Sequence, residues 1–467
     1  MLEYTYMSEI SNTSTAEIEK NPSAEELFAQ LLELEPKPIA NFVPTNAAEQ
    51  KELFLSGEVR NPDHVYGKLA TLDFDENRKN IREIGDKLIA LDDTSEKYAD
   101  VYEQFTQNYL NKTSFMELAY KVKTAETPED KIAAKEAFMD MNVELFGAPD
   151  QATYRSLLAE KLNKIKAKEL SPAGEKIREE LFAIFENNDI ESVSRFKPSD
   201  ETVQWLHEIT TSEDGLYTNM LKHVPEQASF TDEEIKSIFE KIITEEFGET
   251  LASTDADKGI LWSVDVEDAQ SINVKASEKR IVVPNGREVT LKIMQGLVVH
   301  EIGVHFLRSL TGESTDLLPL KLGLSDYYDT EEGLGAVMEQ GRQGEYREAG
   351  ADHYITAGLA LYDNKDFRDI YEAKWRLAIL STTKGDPSEE DIAKAQAANY
   401  GLTMRTMRGT DELPWFKDLS YYNGAAEVWK HLESIRGDDT EFMLVLLGKA
   451  NAANKAHRRI LLETATV

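Results

Sequence analysis

The stretch from Val289 to Gly312 constrains this chain most, because it is apolar wherever a helix would bury it yet carries His300-Glu301-Ile302-Gly303-Val304-His305 at its centre. After the turn signal Pro284-Asn285-Gly286, the apolar residues Val289, Leu291, Ile293, Met294, Leu297, Val298 and Val299 predict a buried helix closing at Thr311-Gly312. Two imidazoles and a carboxylate in such a helix are costly unless paired or bound to metal. The familiar zinc spacing sets histidines four apart, which at ~100° per residue leaves them about 40° from each other. Here they are five apart, or about 140° in an ideal α-helix. Joint ligation therefore requires one extra residue absorbed as a π-bulge, a distortion frequent at functional sites, and Gly303 relaxes the backbone there. A lone histidine on an apolar helix is more often a satisfied core residue. The chain has only 8 histidines, however, and chance poorly explains two of them in one apolar helix.

A catalytic metal of this kind needs a third protein ligand and an open position. Downstream, Asp329-Thr330-Glu331-Glu332-Gly333-Leu334-Gly335-Ala336-Val337-Met338-Glu339 lies far enough along for a second helix to run beside the first. Adjacent Glu331 and Glu332 cannot both face one ion. The residues alone leave Glu331, Glu332, Glu339 and Asp352 open as the third ligand. The competing reading is a solvated acidic helix start capped by Asp329 or Thr330, which explains one of the paired acids better than both.

Together with Arg405-Thr406-Met407-Arg408-Gly409 and Lys417-Asp418-Leu419-Ser420-Tyr421-Tyr422-Asn423-Gly424, these segments resemble the tyrosine/phenylalanine carboxypeptidases that include the microtubule-associated tyrosine carboxypeptidases. Val43-Pro44-Thr45-Asn46, Phe54, Asn61-Pro62 and Tyr66 also fit, so the resemblance spans roughly residues 25 to 435. It implies His300, His305 and Glu332 as zinc ligands and Glu301 as the base that activates water. Glu331 stands where the family usually has Gln, and Gly335 where it has Ala, which bears on the helix start and local packing.

The implied chemistry is zinc-assisted hydrolysis of the C-terminal bond of a peptide or protein, releasing Tyr or Phe. A free terminal carboxylate is best held by a guanidinium fork or a lysine, and Arg405, Arg408 and Lys417 cluster between late glycines. Arg408 is the first choice and Lys417 the second; the competing reading pairs Arg408 with Asp418 or Glu412. Donors to an oxyanion are open among Tyr327, Tyr328, Tyr346, Tyr421 and His353, with Tyr421 taken as substrate-binding. Arg347, Glu348 and Asp352 either orient a ligand histidine or form surface ion pairs.

A net charge of -34 excludes non-specific nucleic-acid binding, which needs Lys and Arg against phosphates. It also disfavours an acidic tail as substrate, such as the tubulin tail on which animal members of the family act. With 0 cysteines, no disulfide or thiolate ligand is available. Met1 to Pro22 lacks a signal-peptide pattern and no stretch reaches membrane-spanning length, so the expectation is a cytoplasmic protein without membrane contact.

Three regions follow: a disordered leader over 1–23, a helical region over 24–250, and a zinc-binding region over 251–467, with 24–467 able to form one compact unit. Helix starts are expected at Thr127-Pro128, Ser171-Pro172 and the capping box Thr231 to Glu234, and stops at Gly147 and Gly248. β-formers around Leu261 to Val266, Ile272 to Lys275 and Arg280 to Val283 predict a strand and a hairpin before the motif helix. Such a sheet edge either receives an extended substrate or only packs on the helix. Later helices are expected over 345–361, 367–380 and from Asp386-Pro387 to about Gly401. The fold class is thus α+β and zincin-like, mostly helical with a small antiparallel sheet beside the HExxxH helix. Two rival readings remain: an aminopeptidase or dipeptidyl peptidase, which has glycine directly before its second histidine where this chain has Val304, and a non-catalytic zinc-binding regulator, which would not need Glu301.

Overall fold

The computed structural model describes residues 22–185, 193–248, 262–269, 271–382, 386–451 and 453–464, without the side chains of 92–97. The expected leader lies outside them except at its end, where Ser23 opens the helix Ala24–Glu33 through a capping box with Glu26. Helices dominate, and their ends obey the local signals. Thr127 and Ser171 each cap a helix with Pro at its first position, Thr231 forms a capping box with Glu234, and Gly147 and Gly248 end their helices at positive φ.

Among the described residues, five short strands form two sheets. Strand β1 (Ser229–Thr231) pairs antiparallel with β5 (Glu288–Thr290), while β2 (Ser263–Glu267), β3 (Asn273–Lys275) and β4 (Arg280–Pro284) form a sheet in the order β2-β4-β3. β3 and β4 make the expected antiparallel hairpin, turning through Lys279 at φ 48°. β2, however, runs parallel to β4, so the sheet is mixed rather than antiparallel. The cause lies in β4, whose residues Ile281 to Pro284 are all buried. The most apolar strand takes the centre, and β2 then becomes the parallel neighbour of a strand two reversals away. Val289, expected in the helix, instead pairs with Phe230 in β5.

The motif helix begins at Leu291 as α-helix, is wound as π-helix from Val298 to Phe306, and returns to α-helix over Leu307–Glu313. The side chains of Val298, Val299, Ile302, Val304 and Phe306 are wholly buried, so the turn carrying the polar triad is clamped by apolar neighbours on its other faces. Gly303 has a second reason to be small: the ring of Tyr217 lies where its Cβ would be.

The acidic segment forms the helix Tyr327–Gln343, which opens at Asp326 in a left-handed conformation. Asp329 and Thr330 therefore sit inside its first turn and do not cap it. This helix packs against Ser420–Ser434 at the glycine pair Gly333 and Gly424, where backbone meets backbone. A helix expected from 345 starts only at Ala351, because Gly350 at φ 69° precedes it. The helix expected to stop near Gly401 continues to Met407 because Thr403, Thr406 and Met407 are buried beyond it.

The apolar core crosses residue 250. One cluster joins Leu27 and Ile243 to Val299, Leu334 and Leu461, and another joins Phe42, Tyr66 and Phe115 to Trp415. Among the described residues no helix is long and apolar enough to cross a membrane.

Candidate active site

One ligand atom each from His300, His305 and Glu332 lies within 4.8 Å of the others, and these residues form a group able to hold a metal ion. The π-turn is what permits it: at about 4.4 residues per turn, positions five apart return to one face. The two rings stand 4.8 Å apart, edge to face.

Behind each ring stands a carboxylate. His300 Nδ1 donates to Glu339 at 2.7 Å, and His305 Nδ1 donates to Glu331 at 2.8 Å. Neither Nε2 has a hydrogen-bond partner among the described residues, which leaves both able to ligate. The donor set fits a divalent ion such as zinc, with two imidazoles oriented through Nδ1 by carboxylates and one carboxylate ligand. Two of the acids left open as third ligand are thus turned away from the cluster to hold the histidines. The fourth, Asp352, pairs with Lys161 on the surface.

Negative charge dominates this pocket. Burial works against a protonated His300, but the Glu339 hydrogen bond and the nearby Glu301 and Glu332 carboxylates outweigh it and push its pKa up to about 9. A site that attracts a proton so strongly attracts a metal cation for the same reason. Burial raises the Glu332 carboxyl, yet Lys417, His305, His300 and a hydrogen bond from Tyr328 hold it below its usual range. Glu301 is buried in the motif turn at 9 % exposure.

The expected substrate groups lie on the Glu332 side. Lys417 Nζ sits 4.6 Å from the Tyr328 ring centre and 3.7 Å from Asp418. Arg405 takes both oxygens of Asp418, at 2.6 and 2.7 Å, and Lys131 and Lys135 take Glu412. Neither acid expected to pair with Arg408 is therefore free for it. Arg408, 8 % exposed, has no hydrogen-bond or ion-pair partner among the described residues, and its guanidinium lies 4.7 Å from the Trp415 ring centre. Burial lowers its pKa despite the attraction of Asp418.

Tyr421 is half-buried beside Arg405, whose Nη2 is 3.4 Å from the phenol oxygen, and it stacks on His353. Burial raises the Tyr421 phenol, helped by Glu332, so it stays a hydrogen-bond donor. Burial drives the His353 pKa down to about 4, which removes it as an imidazolium donor. Tyr346 donates to the Phe196 carbonyl at 3.2 Å, in a cavity lined by Arg195, Asp329 and Tyr422. Arg347 approaches Glu339 at 3.6 Å, whereas Glu348 pairs with Arg195. Residues not singled out by the sequence include Arg308 and Lys449, both bound to Glu331; only the position of Arg308, one turn beyond His305 in an apolar helix, hints at a role.

The fold and this cluster define an α+β protein with a half-buried two-histidine, one-glutamate centre. A family model described as microtubule-associated tyrosine carboxypeptidase matches residues 208–464, more than half of the chain, and the chain belongs to that family of carboxypeptidases. The N-terminal pattern from Val43 to Tyr66 lies outside the match, though Phe42 packs beneath Gly409 and the Tyr66 hydroxyl donates to Asp411 at 2.6 Å. Comparison with curated proteins gives no match, and comparison with solved structures gives none either.

Proposed function

We propose that this protein is a zinc carboxypeptidase that removes a C-terminal Tyr or Phe from a peptide or protein, with 24–467 working as one compact unit in the cytoplasm. His300, His305 and Glu332 would hold the ion, which when bound polarises the scissile carbonyl and lowers the pKa of water toward ~7. Glu301 takes the proton of the attacking water and passes it to the departing amine. Arg408 and Lys417 bind the terminal carboxylate, and Tyr421 donates a hydrogen bond to the substrate.

The observation that carries this reading is the buried Arg408 guanidinium, without an ion-pair partner among the described residues, on the side of Glu332 where Tyr328 and Lys417 lie. A buried charge without a partner is expensive, so its natural complement is an anion that arrives with the substrate. Purified protein of determined metal content, incubated with peptides ending in free Tyr, Phe, Ala or Glu, tests it by mass spectrometry. The expected result is loss of one terminal Tyr or Phe, abolished by C-terminal amidation and by Glu301→Gln. Bound zinc without cleavage of any peptide would overturn the enzyme reading for these substrates.

A further inference from the structure

We propose that Glu331, Arg308 and Lys449 form a charge-compensated positioning unit for His305, in which the buried Lys449 ammonium is matched to a carboxylate at 331. The inference rests on the reading of His305 as a metal ligand. Glu331 is 3 % exposed and accepts from His305 Nδ1 at 2.8 Å, from Arg308, and from Lys449 Nζ at 3.2 Å. Arg308 and Lys449 are themselves buried.

Lys449 does not reach this acid as a mobile surface chain. Its amide donates to the Leu320 carbonyl at 2.7 Å, its carbonyl accepts from Leu324 at 2.9 Å, and Gly448 before it donates to Thr311 Oγ1 at 2.9 Å. Arg308 binds the carbonyl of Ala450 after it. The backbone is thus pinned on both sides of Lys449, with Gly448 at φ 65° against Leu320, where a side chain would not fit. Residues 446–451 deliver one ammonium to one carboxylate.

The charge count explains the pairing. With Glu at 331, one anion faces two buried cations; with an amide, the residue usual in the resembled family, two cations would face each other with no anion between them. The carboxylate also fixes the His305 ring and makes its Nε2 a stronger donor, which an amide does less well. His300 is held differently, by a Glu339 whose side chain is 26 % exposed and whose sole Lys or Arg partner among the described residues is Arg347, at 3.6 Å.

The test is a double-mutant cycle on the full chain with Glu331→Gln, Lys449→Met and both together. Zinc affinity is read by chelator competition and the melting temperature on metal-free protein. Glu331→Gln should weaken zinc binding about 10–100-fold and lower the melting temperature. Lys449→Met added to it should recover part of both losses, because the counter-charge leaves with the charge. Affinity is the readout a merely structural contact would not move. If the two changes simply add in affinity and in melting temperature, the unit does not exist. If Glu331→Gln fails to fold alone, folding of the double variant supports the pairing, and its failure overturns it. Wild-type protein that binds no divalent ion would sink the metal reading instead, leaving the metal-free melting cycle to decide the pairing.

Discussion

Replacing Arg408 by Met should make the free protein more stable and the enzyme much worse. The guanidinium is 8 % exposed and without an ion-pair partner among the described residues. An uncompensated buried charge costs several kcal/mol, against which stacking on Trp415 at 4.7 Å returns about 2 kcal/mol. Met fills comparable volume beside Trp415 without that charge, so stability should rise by about 1–4 kcal/mol, as when other buried ions are replaced by apolar side chains. In turnover the same change removes two charge-assisted hydrogen bonds to the terminal carboxylate at about 1.5–3 kcal/mol each. The loss in kcat/KM on a Tyr-ended peptide is then about 10²–10⁴-fold. Urea unfolding of metal-free protein and steady-state cleavage measure the two effects, and Arg408→Lys, which keeps the charge but not the fork, should fall between. A variant that unfolds more easily yet cleaves normally would show Arg408 to be structural and refute the argument.

Three further outcomes are expected. Glu339→Gln, which weakens the carboxylate behind His300, should reduce zinc affinity about 10–100-fold in chelator competition while leaving the circular dichroism spectrum unchanged. Gly424→Ala puts a methyl onto the Asp329 carbonyl where two helices touch; urea unfolding should show a loss of about 1–3 kcal/mol or more, and no loss would mean that this contact is loose. Lys374, 6 % exposed, has its pKa brought down to about 8 by burial. Its folded pKa lies below the unfolded value, so its penalty is full below pH 8 and shrinks as pH rises toward the unfolded pKa of 10.5. Lys374→Met should therefore stabilise at pH 7 by at most about 3 kcal/mol, with the gain fading by pH 10; a gain equal at both pH values would exclude this cause.

Much of the helical frame is legible because its signals are local. Thr127-Pro128, Ser171-Pro172 and Thr231 to Glu234 each act within one turn, so the described structure starts helices at all three. The π-turn is legible for a different reason: the five-residue spacing cannot bring His300 and His305 together on any regular α-helix, so the sequence itself demands the distortion found over Val298–Phe306. The parallel edge of the sheet is not legible, because strand order depends on β4 competing for the centre, and that is settled by burial across the whole sheet. Strands β1 and β5 escape too, since three residues carry no period and their partners are distant in the chain.

The roles of the acids separate along the same line. Periodicity says that Glu331 and Glu332 face different ways, but not which faces what, because that depends on the rotation of the helix Tyr327–Gln343 about its axis. The contact that sets the rotation is Gly333 against Gly424, a meeting of residues with no side chains to leave a pattern. Once that contact is made, Glu332 points at the histidine pair, Glu331 stands behind His305, and Glu339, two turns on, stands behind His300. The cations divide in the same way. Arg405 is consumed by Asp418 and Lys449 by Glu331, which leaves Lys417 only loosely paired and Arg408 without an ion-pair partner among the described residues. With Asp418 and Glu412 held by other cations, the buried Arg408 guanidinium has no ion-pair partner among the described residues, a costly arrangement that an anion from outside would complete.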